Sequence, residues 1–180
     1  MSPRRYRGRS TLAAFAAAAA FIAHAAGGED FDFMPKGGRA LLVDVVGSSP
    51  AQLRAVTQDR RTETQWREFV DARKKPLSEK ERATLAAYLA VNLPLAQPPQ
   101  DAKALPRDGR DLAWEECQSC HSLFAGYLTQ ARAAVGWRNM FLSPFHRQLK
   151  MTPQEREEFA RYAEINMPLK VEDVPPDLRF

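Results

Sequence analysis

Cys117-Gln118-Ser119-Cys120-His121 holds the only two cysteines of the 180-residue chain. Two thiols at C-x-x-C spacing followed by a histidine read as a c-type haem attachment site. Each thiol can add across one haem vinyl group, and His121 is then carried under the iron as its proximal ligand. Two other chemistries use cysteines at this spacing. A thioredoxin-like redox pair needs a strand–helix context, and nothing around Cys117 reads as one. A structural zinc site needs four ligands. Beyond the two cysteines the chain has three histidines, His24, His121 and His146.

The N-terminus reads as an export signal. Arg4, Arg5, Arg7 and Arg9 form a basic region, residues 11–23 an alanine-rich apolar run, and Ala23-His24-Ala25 a small-x-small cleavage site. Residues 1–25 are therefore expected to be removed. The apolar run is short for a spanning helix, which needs about 20 residues. Export and haem attachment support each other, because c-type haem is attached outside the cytoplasm. The expected location is the periplasm, with no membrane span after cleavage.

Cleavage changes the charge argument. The whole chain has 26 basic and 22 acidic residues, a formal +4. Residues 1–25 carry four arginines and no acid, so 26 − 4 leaves 22 against 22. The basic excess belongs to the signal, and no nucleic-acid partner is expected.

Downstream the chain repeats itself. The stretch from Trp66 to Leu95 returns from Trp137 to Leu169, with three more residues in the second copy. Leu77 matches Met151, Ser78 Thr152, Glu81 Glu155, Arg82 Arg156, Tyr88 Tyr162 and Asn92 Asn166. Upstream of the tryptophans the offset is 71, since 137 − 66 = 71. That offset sets Val46-Gly47-Ser48-Ser49-Pro50 where the haem motif stands, with neither cysteine nor histidine. Gln58 and Arg60 fall near Gln130 and Arg132. The organisation expected is a signal peptide 1–25, a haemless copy 26–96, a Pro-rich linker 97–107 and a haem-bearing copy with its tail, 108–180. Without a ring, the first copy must fill its centre with Leu41, Leu42, Val43, Val45, Val46, Leu53, Val56, Phe69 and Val70. At roughly 70 residues it is small for a single core, so it should lean on its neighbour.

Both copies read as helical. Ser78-x-x-Glu81 and Thr152-x-x-Glu155 are capping boxes, and Pro153 suits a first helical position. Leu85, Tyr88 and Asn92 recur at helical spacing, as do Phe159, Tyr162 and Ile165. Asp111–Cys117 reads as a short helix leading into the motif, and Gly136 as preceding a helix with Trp137, Met140 and Phe141. No strand alternation is visible. The fold class expected is all-α.

With C-x-x-C-H-S-L, a mid-domain tryptophan and a capped final helix, residues 108–169 resemble a class I cytochrome c domain. The whole chain is similar to tandem, dihaem-type cytochrome c chains that partner periplasmic dehydrogenases, with the first haem site lost. The resemblance implies two tandem cytochrome c-like domains, one covalent haem c, single-electron transfer, and redox partner proteins such as a periplasmic dehydrogenase or a terminal acceptor. It does not imply an enzyme. The family's distal methionine would fall at Pro144; His146 stands two residues on and is the candidate sixth ligand. Met140 and Met151 are the alternatives, with Met167 expected to lie away from the iron. Trp137 and Arg132 are candidate propionate contacts. Lys74 and Lys75 read as a solvated face. The competing function is a haem-based sensor or small-ligand-binding protein with a displaceable sixth ligand. A peroxidase would need a distal acid–base set that the sequence does not offer.

Overall fold

The computed structural model describes residues 32–118 and 120–179. The expected signal peptide, 1–25, lies outside the described residues. Among the described residues every regular element is helical and no strand occurs. The all-α expectation holds.

Four helices make the first half: α1 Gly38–Val46, α2 Pro50–Thr57, α3 Glu63–Ala72 and α4 Glu79–Asn92. The second half has α5 Gly109–Leu112, a π-helical turn Ala113–Cys117, α6 Leu123–Gly126, α7 Ala134–Met140 and α8 Pro153–Asn166. The bounds recur at the sequence offsets. Adding 71 to α1 gives 109–117, the span of α5 plus the π-turn, and adding 74 to α4 gives 153–166, the span of α8. The three additional residues therefore fall in the loop between α7 and α8. Helix α7 opens at Ala134, so Gly136 lies inside it rather than before it, and Phe141 is its C-cap.

Local chemistry sets the helix starts. Both predicted capping boxes form: Ser78 accepts from Glu81 N, and Thr152 from Glu155 N. Ser49 with Gln52, Thr62 with Gln65 and Asp108 with Asp111 form three further boxes. Each closes orphan N–H groups at a helix start.

Two hydrophobic cores result. Leu41, Leu42, Val45, Leu53, Val56 and Val70 are buried in the first around Trp66 and Tyr88, with Val43, Val46 and Phe69 packed at its margin. Leu112, Phe124, Trp137, Phe159 and Tyr162 centre the second. The tail folds back onto this second core through Val174. Phe124 occupies the place of Leu53 (53 + 71 = 124), and both are fully buried.

The halves exchange segments. Met34, ahead of α1, is buried in the second core, and Leu105, ahead of α5, is buried in the first. They are equivalent positions, since 34 + 71 = 105. Likewise Tyr88 donates its hydroxyl to Pro106 O at 2.9 Å, and Tyr162 to Pro35 O at 2.7 Å. Each tyrosine packs against the first helix of its own half, where Gly38 and Gly109 leave room for it. Met34 and Leu105 thus cross between the halves, and Leu105 and Pro106 tie the Pro-rich segment 97–107 to the first half. Helices α4 and α8 lie against each other along the middle of the molecule.

Candidate functional site

Helix α5 is capped by Asp108, whose Oδ1 accepts from Arg110 N and Asp111 N, each at 3.0 Å. It continues into the π-turn that ends at Cys117. Such turns widen the helix by one residue and recur at functional sites. In the first half the equivalent residues stay regular α-helix to Val46 and close at Gly47, whose φ of 97° suits glycine.

Cys117 is 7% exposed, and Cys120 is exposed. Burial, with smaller contributions from Glu116 and Cys120, pushes the Cys117 thiol up to about 12. Such a thiol holds its proton at neutral pH and is a poor thiolate nucleophile, which counts against a thioredoxin-like redox pair. The all-helical surroundings count against it again.

Cys117, Cys120 and His121 share the wall of one cavity of about 360 Å³ with Met140, Phe145 and His146. The ring centroids of His121 and His146 are 6.1 Å apart, with the planes at 71°. Tyr127 stands beside both, 5.2 Å from His121 and 6.5 Å from His146. His146 Nδ1 lies 3.2 Å from Met140 O. A histidine that ligates through one nitrogen commonly fixes the ring through the other, so this contact leaves Nε2 for a ligand. A metal-bound imidazole nitrogen sits about 2 Å from its metal, so two rings sharing one ion have centroids about 6 Å apart. His121 and His146 meet that spacing.

The structure separates the sixth-ligand candidates. Met140 is half-buried and lines the cavity with His146. Met151 does not line it. Met151 is 6% exposed in the second core, where the residue before the Thr152 cap acts as an apolar staple. Met167 is buried in the same core. His146 itself sits on a 3-10 turn, His146–Gln148, inside the lengthened loop.

Trp137 and Arg132 stand outside the cavity wall. The Arg132 guanidinium lies over the rings of Tyr127 and Trp137, at 5.8 and 5.4 Å, and its Nε donates to Gln130 Oε1 at 3.0 Å. Trp137 Nε1 is buried with no hydrogen-bond partner, and so is Trp66 Nε1 in the first half. An orphaned indole is thus a property of the repeat and does not by itself mark a cofactor. Arg61 covers Trp66 at 4.8 Å, so Arg61, rather than Arg60, is the counterpart of Arg132. Gln118 Oε1 and Nε2 and Ser122 Oγ, flanking the motif, are buried polar atoms with no partner among the described residues.

The Arg107 side chain ties the motif to the rest of the half. It donates to Glu115, Glu116 and Glu155 at 2.7–2.9 Å, and these carboxylates raise its pKa. Arg107 thereby neutralises Glu116 on the cavity wall and anchors the π-turn to the start of α8. No such role was read for it from the sequence, although Lys36 with Asp44 repeats the pair 71 residues earlier.

No helix among the described residues is long and apolar enough to cross a membrane. No protein-family model matches the chain, and neither a curated protein nor a solved structure matches it.

Proposed function

We propose that the chain is an exported monohaem c-type cytochrome that passes single electrons, as a carrier or as the haem subunit of a periplasmic oxidoreductase. One observation carries this reading: both thiols and both imidazoles face one cavity, with the imidazoles 6.1 Å apart. Haem supplies an iron that cycles between two oxidation states without gaining or losing a bond to the protein. Cys117 and Cys120 would hold it covalently, and His121 and His146 would ligate its iron. The Met140 carbonyl keeps the His146 ring oriented. A second histidine in place of methionine lowers the reduction potential. Phe145 and Leu149 add apolar surface to the cavity wall.

The two halves then descend from one cytochrome c-like domain, and the first has no haem site. Phe69 stands where Met140 stands in the second half (69 + 71 = 140), packed under Arg61 and Arg73 at 5.1 and 4.3 Å. The first half buttresses the haem half across α4 and α8.

The decisive measurement is an optical spectrum of purified full-length protein with haem quantitation. One covalent haem per chain and a six-coordinate low-spin spectrum are expected. His146→Ala should convert it to high-spin. Two haems per chain, none, or a methionine–iron band in the oxidised protein would each refute part of the reading.

A further inference from the structure

Arg156, the fourth residue of α8, directs its guanidinium at backbone carbonyls. Its Nη2 donates to Arg147 O at 3.1 Å and approaches Leu149 O at 3.5 Å. Arg147 lies within the turn that carries His146, and Leu149 caps that turn. The same guanidinium stacks on Phe141 at 5.3 Å, the residue that caps α7 and opens the loop. Arg156 makes no ion pair among the described residues. Its counterpart in the first half, Arg82 (82 + 74 = 156), reaches Asp71 and Glu79 at 3.7 and 3.9 Å instead. The loop it would face there is three residues shorter and has no histidine.

Between Phe141 and Leu149, which pack on the second core, the loop is lightly held. Leu142 and Phe145 are 66% and 84% exposed, so they contribute little burial to it. Arg147 closes it internally by donating to Leu142 O at 3.1 Å. Arg156 is the long-range polar tie between the His146 turn and helix α8.

We propose that Arg156 is a positioning residue: it clamps loop 141–150 to α8 and so sets how readily His146 leaves the sixth coordination position. The proposal rests on the haem reading above. A charged donor holds the middle of a loop whose apolar anchors, Phe141 and Leu149, stand near its ends: Nη2 alone bonds both carbonyls, and the planar guanidinium also stacks on Phe141. Loosening the clamp raises the population with His146 withdrawn, and an added ligand captures that population.

Haem-loaded, full-length wild type, Arg156→Gln, Arg156→Lys and His146→Ala are reduced with dithionite and mixed with carbon monoxide. Binding is followed by the Soret change, with haem content and far-ultraviolet circular dichroism as controls. Wild type should bind slowly, His146→Ala fastest. Arg156→Gln should bind about tenfold faster than wild type, the factor expected when a hydrogen-bonded tie is lost, with haem content unchanged. Arg156→Lys should fall between. Added imidazole should restore the wild-type low-spin spectrum to His146→Ala and to any high-spin fraction of Arg156→Gln. Wild-type rates in both Arg156 variants, beside a fast His146→Ala, overturn the clamp and leave the coordination reading standing. A His146→Ala rate equal to wild type overturns the coordination itself and the clamp with it. If Arg156→Gln does not fold, Arg156→Lys, which keeps the charge and the apolar stem, decides the question by the same comparison.

Discussion

Asn92 donates through Nδ2 to Glu158 Oε2 at 3.0 Å across the contact between α4 and α8. The same relation recurs with the halves exchanged: Asn166 donates to Thr84 Oγ1 at 2.8 Å. Asn92 and Asn166 are equivalent, as are Thr84 and Glu158, each pair 74 apart. Each asparagine also bonds the tyrosine carbonyl one turn back in its own helix. The halves are thus joined by one polar device used twice. Only in the second half does its acceptor carry an ionisable group.

That group should make the molecule pH-sensitive. Glu158 is 2% exposed. Burial, then Asp108 and Asp111, push its carboxyl up to about 8, against hydrogen bonds from Gly109 N and Asn92 that pull it down. The folded protein keeps a proton that the unfolded chain, near 4.5, gives up. Stability from this group is therefore full below about pH 4.5 and is lost as pH rises through about 8. Thermal melts between those limits should fall with rising pH, and Glu158→Gln should flatten the slope. Asp111, also raised by burial, leaves a residual slope of the same sign. Equal slopes in the two proteins would remove Glu158 as the cause.

Gly38 and Gly109 should resist substitution equally. A Cβ on Gly38 would lie 2.2 Å from Tyr88 Cβ, and one on Gly109 2.1 Å from Tyr162 Cβ. Neither contact involves a flexible chain end, so the helices must separate. Overpacking of this kind costs about 1–3 kcal/mol. Gly38→Ala and Gly109→Ala should each lower the urea midpoint, and a wild-type midpoint in either would contradict the close approach.

Asp108 should matter more than an ordinary cap. It closes the start of α5, and its Oδ2 accepts from Arg39 N in α1 at 3.0 Å. An N-cap replaced by alanine costs about 0.5–2 kcal/mol. Asp108→Ala breaks ties in both halves, so it should lose more in a urea titration than Thr152→Ala, which uncaps α8 alone.

The methionines should be dispensable to the iron. Met140→Leu and Met151→Leu should both retain the low-spin spectrum. Volume-conserving swaps of this type cost less than about 1.5 kcal/mol. A high-spin spectrum in Met140→Leu would move the sixth ligand to that sulfur.

The helices were legible because their signals are local. Ser78, Thr152, Pro153 and the spacing of Tyr88 and Tyr162 act within a turn or two of themselves. The boxes Ser49–Gln52 and Thr62–Gln65 follow the same local pattern with glutamine as partner, and Asp108–Asp111 departs from it. The second role of Asp108, accepting from Arg39 N, is visible only once α1 is seen against it. Met151 was a ligand candidate because sequence distance from Trp137 cannot show that its side chain faces the core. His146 could be named for its rarity, but its distance from His121 could not.

The sequence by itself determined that the chain is helical and repeated, and which residues carry the Cys-x-x-Cys-His pattern, because periodicity, capping and motif spacing are written along one strand of chain. Tertiary structure alone decided what crosses between the halves. Met34 and Leu105 trade cores, Tyr88 and Tyr162 bond each other's leading segments, and Glu158 is buried by helix α4. These depend on contacts among residues 18 to 127 positions apart, and no local preference encodes them. The same holds for the cavity, which brings His121 and His146, 25 positions apart, to one wall.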